Sequence, residues 1–409
     1  MERVVITGMG AITPVGNDVA TFWDSLKNGR CGIGPITKFD VSDFKVKLGA
    51  EVKDFDPTQY MEKREARRAD ANVHYAMAAA IQAVEQAGLK EGNFDPYRTG
   101  VIFGSGVGGL HVAEQEVPKL LEKGPGRVSP FAIPEMIANI AAAYISMHFG
   151  FKGENFCPVS ACATGNHSIG EAMRAIRHGY QDVVVCGGTE NGIIPISMAG
   201  FQNMKAVHMG DDPAAASIPF DARRSGFVMG EGAGCLVLES LTHAQQRGAT
   251  ILAEVAGYGA SGDAYHITSP SPDGDAAAHA IRGAIEDAGL TPADVDYINA
   301  HGTSTPLNEK YETIAIKKAF GDEAYNVKVS STKSMTGHLL GGAAAVEAIA
   351  CVMAIREGIV PPTIGYKEPD PECDLDITPN KAVEMPVNVA ISNSLGFGGH
   401  NACILIKKV

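Results

Sequence analysis

The segment Ala83–Leu89 reads AVEQAGL, and the segment Ala284–Leu290, much later in the chain, reads AIEDAGL. Each has the apolar spacing of the end of an amphipathic helix and closes with Gly, which is typical of a helix C-cap. Each is followed by a short loop and an apolar run that predicts a strand, GVIFGSG (Gly100–Gly106) and VDYINAHG (Val295–Gly302). This match predicts that one structural unit occurs twice in the fold.

Two further pairs of segments extend the repeat in the same order. AIRHG (Ala175–Gly179) matches AIREG (Ala354–Gly358), and GFVMGEGAGCLVLE (Gly226–Glu239) matches GFGGHNACILIKK (Gly396–Lys408). Three matches in one order indicate a duplication.

We therefore expect two halves, residues 1–250 and 251–409. Strands alternate with helices, and apolar runs such as DVVVCGG (Asp182–Gly188) favour mostly parallel sheets covered by helices. No low-complexity segment or long linker separates the halves, so we expect one α/β unit with pseudo-twofold symmetry. A functional site is then expected where the halves meet, at strand ends and helix starts.

The overall composition narrows the class of protein. The chain has 409 residues, 45% of them hydrophobic, and a net charge of −13, which argues against nucleic acid or an anionic membrane as the main partner. It contains no apolar run of membrane-spanning length and starts without a secretory signal pattern, so we expect a cytoplasmic protein. The eight scattered cysteines include no C-x-x-C pair, which disfavours a disulfide framework and a zinc site.

Cys162 lies in the segment CPVSACATGNHSIGEAMRAIRHG (Cys157–Gly179). The apolar residues after it have the spacing of one helix face: Ile169, Ala172, Met173 and Ile176. Cys162 is therefore expected at a helix N-terminus, where unpaired N–H groups favour a thiolate and can bind an oxyanion. Free cysteine is also commonly a buried apolar residue, so position alone leaves both a nucleophile and a structural thiol open.

Two histidines and a lysine occur in similar surroundings. His301 ends a predicted strand, and Lys333 and His338 precede a very apolar helix. By the duplication, the helix after Gly341 is the counterpart of the helix after Cys162. We therefore expect the two helix starts to face each other and the thiol and both imidazoles to converge on one pocket.

Four motifs together resemble the β-ketoacyl-[acyl-carrier-protein] synthases of the thiolase fold: ACATG (Ala161–Gly165), NAHGTST (Asn299–Thr305), TKSMTGHLLG (Thr332–Gly341) and SNSLGFGGHN (Ser392–Asn401). The resemblance runs along essentially the whole chain. It implies a thiolase-like, duplicated αβαβα layered fold with pseudo-twofold symmetry. The Cys–His–His set is unlike the thiolases, which use a second Cys, and unlike the initiating synthases, which pair His with Asn; the GGHN ending is similar to synthases of type II.

The resemblance also implies a reaction, the decarboxylative Claisen condensation of fatty acid elongation. Cys162 would take the acyl group from acyl carrier protein, with the backbone N–H groups of Cys162 and Phe397 as oxyanion donors. His301 and His338 would stabilise the enolate formed from malonyl-carrier protein, and the product would be a 3-oxoacyl thioester. Lys333 would orient a histidine and pair with Glu347, or act only as a structural ion pair. No cofactor is implied beyond a Na⁺ or K⁺ ion.

Further residues take roles only through the resemblance. Phe397 lies between glycines and is implied to gate the acyl pocket; the alternative is an ordinary core Phe. The residues implied to bind substrate are Val107, Ala161, Phe201, Thr268, Thr303, Thr305, Phe397 and Gly398. The residues implied to hold a monovalent cation are Asn299, Glu347, Ser392 and Asn393.

A basic cluster stands out on this acidic chain and comprises Lys63, Arg64, Arg67 and Arg68. It is either a solvated helix face or a docking site for an acidic carrier protein. The resemblance also suggests a homodimer.

Three rival interpretations stay open at this point. The glycines Gly104, Gly106 and Gly109 form a G-x-G-x-x-G pattern after a predicted strand, as in dinucleotide-binding enzymes, but this signal is weak in a Gly-rich chain. A non-catalytic relative would lack the nucleophile, whereas Cys162, His301 and His338 are all present. A type II polyketide ketosynthase is the closest competitor, because it differs only in substrate.

Overall fold

The computed structural model describes all 409 residues and is built around one ten-stranded sheet. From one edge to the other its strands follow the order β10-β9-β13-β14-β8-β1-β7-β6-β4-β5, and two pairs of very short strands, β2–β3 and β11–β12, stand apart. The strands are β1 Val4–Ile12, β2 Gly34–Pro35, β3 Leu48–Gly49, β4 Thr99–Ser105, β5 Asn155–Phe156, β6 Val183–Asn191, β7 Glu231–Ser240, β8 Ala253–Gly262, β9 Tyr297–Asn299, β10 Lys328–Ser330, β11 Ile359–Val360, β12 Val383–Glu384, β13 Val389–Gly396 and β14 His400–Lys407.

The order of the strands shows the duplication directly. Read from its outer edge inwards, each half-sheet places its own strands in the order third, second, fourth, fifth, first. In each half four strands run in one direction and the fifth, β7 or β14, is reversed, so the predicted mostly parallel arrangement holds within each half. The halves join through a short antiparallel contact of β1 with β8, which pairs Val5 with Glu254 and Ile6 with Ala253.

Thirteen helices cover and fill this sheet. They are α1 Val19–Lys27, α2 Lys63–Ala66, α3 Ala71–Ala87, α4 Leu110–Lys123, α5 Ala132–Met136, α6 Ile140–Phe149, α7 Thr164–Arg177, α8 Pro195–Asn203, α9 Leu241–Gln246, α10 Asp275–Asp287, α11 Asn308–Phe320, α12 Lys333–Thr336 and α13 Ala343–Glu357. The glycines of the two repeated segments, Gly88 and Gly289, follow the ends of α3 and α10, and both have a positive φ. None of the helices is both long and apolar enough to cross a bilayer.

The layers follow from which helices touch which strands. Helices α7 and α13 each pack against strands of both half-sheets, whereas α3 and α10 each cover the outer face of one half-sheet. This is the expected αβαβα arrangement. Helix α13 is apolar on nearly all sides and buried from Ala343 to Val352, as a helix between two sheets must be. A Cβ on Gly165 of α7 would lie 2.8 Å from the Ala345 nitrogen, so a glycine lets the central helices approach closely.

The largest hydrophobic cluster lies in this middle layer and draws residues from both halves of the chain. A second cluster lies under α3 in the first half, and a third lies under α10 and α11 in the second. All eight cysteines are free, and those in apolar contexts, Cys186, Cys235, Cys351 and Cys403, are buried as expected.

Candidate active site

Cys162 lies in a 3₁₀ turn, Ala161–Ala163, that leads directly into α7. The second half repeats this local structure with the turn Leu340–Gly342 before α13. The residue before each turn centre has an unusual positive φ, +50° at Ala161 and +46° at Leu340. Gly341 is therefore the structural counterpart of Cys162, and the two turns pack against each other as the duplication predicts.

The structure brings the thiol and both imidazoles together. Nε2 of His338 lies 3.0 Å from Sγ of Cys162, and the rings of His301 and His338 are 5.4 Å apart and nearly perpendicular. One donor atom from each of the three residues lies within 4.8 Å of the others. All three side chains are buried, although they are far apart in the sequence.

Burial governs the protonation of this cluster. It raises the pKa of the Cys162 thiol to about 12, while the positive charge of Lys333 and the N–H groups of Phe397 and Cys162 itself act in the opposite direction. Burial lowers the pKa of both histidines well below the usual 6.5, and the charge of Lys333 adds to that effect. Both imidazoles are therefore neutral at pH 7, and each retains one N–H donor.

Lys333 and Glu347 form a buried ion pair next to the cluster, each about 1% exposed. Burial raises the pKa of Glu347 to about 7, against the effect of Lys333. The backbone oxygen of Lys333 accepts a hydrogen bond from Ser217 Oγ at 2.8 Å, which holds α12 in place. The pairing expected from the sequence is thus present, and it directs a positive charge towards both imidazoles.

Two buried carboxylates that the sequence did not single out hold the His301 loop. Glu312 accepts hydrogen bonds from the backbone N–H groups of His301, at 2.7 Å, and Gly302, at 2.9 Å. Glu309 accepts from the N–H of Ser304 and pairs with Arg224. Both carboxylates follow the NAHGTST motif on α11 by one to two turns, and this spacing was the only sequence signal for them.

A cavity of about 550 Å³ opens at the thiol. Seven of the eight residues implied to bind substrate line it: Val107, Ala161, Phe201, Thr268, Thr303, Thr305 and Phe397. The sequence missed other lining residues, among them Gly106, Lys205, Leu307, Asn308 and Leu340. The wall combines apolar side chains with threonine hydroxyls, which suits an acyl chain joined to a polar arm.

Gly398 is the exception among those eight. It lies in the Phe397–Gly399 turn between β13 and β14, is exposed, has φ +87°, and donates its N–H to the Ile267 oxygen at 2.7 Å. The turn therefore points Gly398 away from the cavity wall and towards a neighbouring loop. Phe397 itself is only partly buried, and its ring lies 6.4 Å from that of Phe201, so it belongs to the cavity rather than to a core cluster.

The basic cluster is split by the structure. Lys63, Arg64 and Arg67 are exposed, but α2 ends at Ala66, so the three do not share one long helix face. Arg68 is half-buried and stacks on the ring of Phe131 at 4.4 Å. Lys63, Arg64 and Arg67 are thus the more accessible members of the cluster, and Arg68 is the one held by a neighbouring side chain.

The residues implied to hold a cation fit an ion by their chemistry. Each is buried and has a side-chain oxygen without a hydrogen-bond partner: Asn299 Oδ1, Glu347 Oε2, Ser392 Oγ and Asn393 Oδ1. Ser392 and Asn299 are register neighbours on the adjacent strands β13 and β9. Buried polar atoms are rarely left without a partner, so a cluster of such oxygens is suited to bind an ion or a water molecule.

The dinucleotide interpretation is not supported by the loop that suggested it. The N–H groups of Gly106 and Val107, which would face a bound phosphate, both donate to the carboxylate of Glu190. A negatively charged side chain thus occupies the place where an anionic ligand would bind.

A duplicated αβαβα fold with a cysteine at the start of one central helix and two histidines beside it defines a condensing enzyme of the thiolase fold. Comparison with known families agrees: residues 1–244 match the N-terminal domain of the β-ketoacyl synthases and residues 252–367 match their C-terminal domain. The chain belongs to the β-ketoacyl synthase family.

Individual relatives extend this result. The chain is 53% identical over 408 residues to the 3-oxoacyl-[acyl-carrier-protein] synthase 2 of Synechocystis, with 100% of this chain and 98% of the relative covered. Among solved structures, the ishigamide ketosynthase/chain length factor is 38% identical with a TM-score of 0.93, covering 100% of this chain and 99% of the other. The chain is also similar to a solved structure of a type II PKS acyl-carrier protein in complex with its ketosynthase bound to the hexaketide. In that comparison the identity is 33%, both chains are covered in full and the TM-score is 0.93.

Proposed function

We propose that the protein condenses an acyl group, received from acyl carrier protein, with malonyl-carrier protein and forms 3-oxoacyl-carrier protein in fatty acid chain elongation. The observation that carries this proposal is the contact of His338 Nε2 with Cys162 Sγ at 3.0 Å beside the second neutral imidazole of His301. The 53% identity to a 3-oxoacyl-[acyl-carrier-protein] synthase 2 supports the fatty acid substrate over a polyketide.

The first half-reaction moves the acyl group onto the enzyme. Sγ of Cys162 attacks the thioester carbonyl of the acyl-carrier protein, a new S–acyl bond forms, and the carrier thiol leaves with the proton of the cysteine. The N–H groups of Cys162 and Phe397 face the sulfur and are placed to bind the oxyanion of the tetrahedral intermediate. Because burial keeps the thiol protonated, His338 is the nearest group to accept its proton during attack.

The second half-reaction forms the carbon–carbon bond. The bond from the malonyl Cα to its carboxylate breaks, CO₂ leaves, and the electron pair becomes an enolate on the thioester. Neutral His301 and His338 each donate a hydrogen bond from a ring N–H to the enolate oxygen, since a neutral imidazole keeps one N–H. The enolate carbon attacks the acyl-Cys162 carbonyl, the carbon–sulfur bond breaks, and Cys162 leaves as thiolate and takes up one proton from water.

We also propose the expected monovalent cation, held by the oxygens of Asn299, Glu347, Ser392 and Asn393. The support is the set of buried, unpartnered oxygens described above. An ion there would balance the charge of the Glu347 carboxylate, and through Asn299 it would hold the end of β9, two residues before His301. No chemical step depends on it.

The carrier protein is proposed as the partner at the exposed cations Lys63, Arg64 and Arg67, since carrier-type partners of acidic charge are steered by such groups. A structure of a ketosynthase with its acyl-carrier protein among the relatives supports this choice. In the same proposal the threonines Thr303 and Thr305, whose hydroxyls lie 3.0 Å apart at the cavity, contact the pantetheine arm. The reaction needs only these thioester partners, and we place it in the cytoplasm.

A homodimer completes the proposal. Strand β5 is an outer edge of the ten-stranded sheet, and an unpaired edge favours pairing with a second copy. Exposed apolar side chains lie on β5, in the loop after it and on the helices near it: Val117, Leu121, Ile133, Met147, Phe156 and Val159. A surface of this kind is typical of a protein–protein interface.

Mass spectrometry after mixing the protein with acyl-carrier proteins tests the function. We expect an acyl adduct on Cys162 that is absent from Cys162→Ala. His301→Ala should still load the acyl group, and His338→Ala should load it more slowly, because it lacks the group that accepts the thiol proton. Both variants should lose malonyl decarboxylation more than acyl loading, by two or more orders of magnitude, a loss on the order of 10²–10³ for one oxyanion donor. A Cys162→Ala protein that still makes 3-oxoacyl product rejects the proposal.

A further inference from the structure

Glu190 is a buried carboxylate that the reaction above does not use. It is the second-last residue of β6, is about 1% exposed, and has no cationic partner. Burial raises its pKa to about 7, although Ser105 and the N–H groups of Gly341, Gly106 and Val107 all act to lower it. A carboxylate buried without a counter-ion is unfavourable unless specific donors compensate it.

Four donors from two distant parts of the chain meet this carboxylate. The Ser105 hydroxyl donates at 2.8 Å, and the backbone N–H groups of Gly106 and Val107 donate at 2.8 and 3.2 Å. The fourth donor is the N–H of Gly341, at 3.0 Å, from the second half of the protein. Glu190 is therefore a hydrogen-bonded bridge between the loop after β4 and the start of α13.

The glycines around the carboxylate have no room for a side chain. A Cβ on Gly106 would lie 2.7 Å from Glu190 Oε2, and a Cβ on Gly341 would lie 2.4 Å from the Gly106 nitrogen. Gly341 is the counterpart of Cys162 in the duplicated fold. The second half thus repeats the helix start of the first half, with its free backbone N–H groups. At this second helix start the carboxylate of Glu190 accepts the hydrogen bond from the Gly341 N–H.

The bridge leads straight to the acyl cavity. Gly106 and Val107 on one side and Leu340 on the other line that cavity next to Cys162. The negative charge of Glu190 also raises the pKa of the Cys162 thiol. The charge of Glu190 thus raises the pKa of two thiols, those of Cys162 and Cys157.

We propose that Glu190 is a positioning residue that fixes the Gly106–Val107 wall of the acyl cavity to Gly341, and so sets both the acyl chains that fit and the reactivity of Cys162. The part on acyl chains rests on the proposed function; the part on thiol reactivity does not. Glu190 touches neither the thiol nor the substrate, so its effect passes through the loop and through its charge.

Two substitutions separate shape from charge. Glu190→Gln has one acceptor oxygen and an NH₂ donor, so two of the four donors lose their acceptor and the charge is removed. Glu190→Asp keeps the charge but is too short to reach both sides. Glu239→Gln is the matched control, because Glu239 is an equally buried carboxylate on the next strand whose partners Thr7, His243 and Arg247 lie outside the cavity.

The first measurement is the rate of Cys162 alkylation by iodoacetamide across pH 6–9, which needs no carrier protein. We expect Glu190→Gln to react about three- to tenfold faster above pH 7, where the wild-type carboxylate is charged, because removing that charge lowers the pKa of the Cys162 thiol. Below pH 7 the rates of the two proteins should converge. Glu190→Asp and Glu239→Gln should keep the wild-type pH profile. If Glu190 had only a structural role, the substitutions would alter stability, but the pH profile of Cys162 alkylation would not shift in Glu190→Gln alone.

The second measurement compares kcat and KM for octanoyl- and palmitoyl-carrier protein. We expect both Glu190 variants to lose about tenfold or more in kcat/KM with the longer chain relative to the shorter one, on the scale of one lost buried hydrogen bond. Glu239→Gln should keep the wild-type ratio. A wild-type alkylation profile in Glu190→Gln together with an unchanged chain-length ratio in both variants overturns the proposal. If carrier substrates fail with the wild type, the proposed function fails, and the alkylation result still decides the role of Glu190.

Discussion

Burial lowers the pKa of both active-site histidines, and this determines how they contribute to the pH dependence of the free energy of unfolding. Each has a pKa well below 6.5 in the folded protein, so below pH 6.5 the unfolded chain binds protons that the folded protein does not. The stabilisation that comes from neutral, buried imidazole is therefore present above pH 6.5. It decreases as the pH falls through 6.5 towards the folded-state values.

We expect the free energy of unfolding to fall between pH 6.5 and 5.5, with about 1 kcal/mol of that loss from each histidine. Urea unfolding of His301→Asn and of His338→Asn should each show a smaller pH dependence than the wild type. The exposed His178→Asn serves as the control and should keep the wild-type dependence. A wild-type pH slope in both active-site variants contradicts the protonation states assigned here.

At the scale of elements, the hairpin of β13 and β14 carries Phe397, the residue that the resemblance implies to gate the acyl cavity. Its turn, Phe397–Gly399, places the Phe397 N–H at the thiol and the ring in the cavity. Gly399 has φ +74°, and a Cβ there would lie 2.7 Å from Cβ of Asp263. The turn is therefore packed against the neighbouring loop through a position that only glycine fits.

Gly399→Ala should slow acyl transfer to Cys162 by about tenfold or more, since strain of about 1–3 kcal/mol at such a position displaces the turn. Acyl-adduct formation followed by mass spectrometry over time gives the rate. Gly262→Ala is the control, because Gly262 faces the same hairpin but has an ordinary φ and only one atom, 4.0 Å away, near its added methyl group. Equal acylation rates in the two variants would show that the turn geometry does not matter.

Sequence patterns predicted the elements better than the contacts between them. The repeated helix ends, the strand before His301 and the helix start after Cys162 follow from local periodicity and capping residues, and all are present. Convergence of the thiol and imidazoles followed from the duplication. Glu190 was missed because its four partners come from segments far apart in the chain; the only local sign was a carboxylate at the end of the buried run VVVCGG.

Other features depend on backbone geometry that residue types do not reveal. The positive φ of Ala161 and Leu340, neither of them glycine, arises from packing of the two helix starts. The direction of the turn decides that Gly398 faces away from the cavity while Phe397 faces into it. Arg68 differs from the exposed Arg67 beside it because it stacks on Phe131, which is far away in the sequence. Each depends on long-range packing, which overrides local preference.

At the scale of the whole molecule, the two halves share their largest hydrophobic cluster. It combines Trp23 and Met173 from the first half with Val346 and Ile404 from the second. Helix α13 packs between both half-sheets, so removing one half would expose apolar surface on the other. We propose that the expected division at residues 250 and 251 is a boundary between repeats and not a boundary between independently stable domains.

We therefore expect the full chain to unfold in one transition. Trp23, the single tryptophan, is 2% exposed in the shared cluster, so its fluorescence reports on the middle layer. Urea curves from Trp23 fluorescence and from far-UV circular dichroism should coincide at one protein concentration. Hydrogen exchange should give the same opening free energy for α3, in the first half, as for α10, in the second. Residues 251–409 expressed alone should lack this protection; a protected, cooperatively unfolding 251–409 fragment would show instead that the second half is stable without the middle layer.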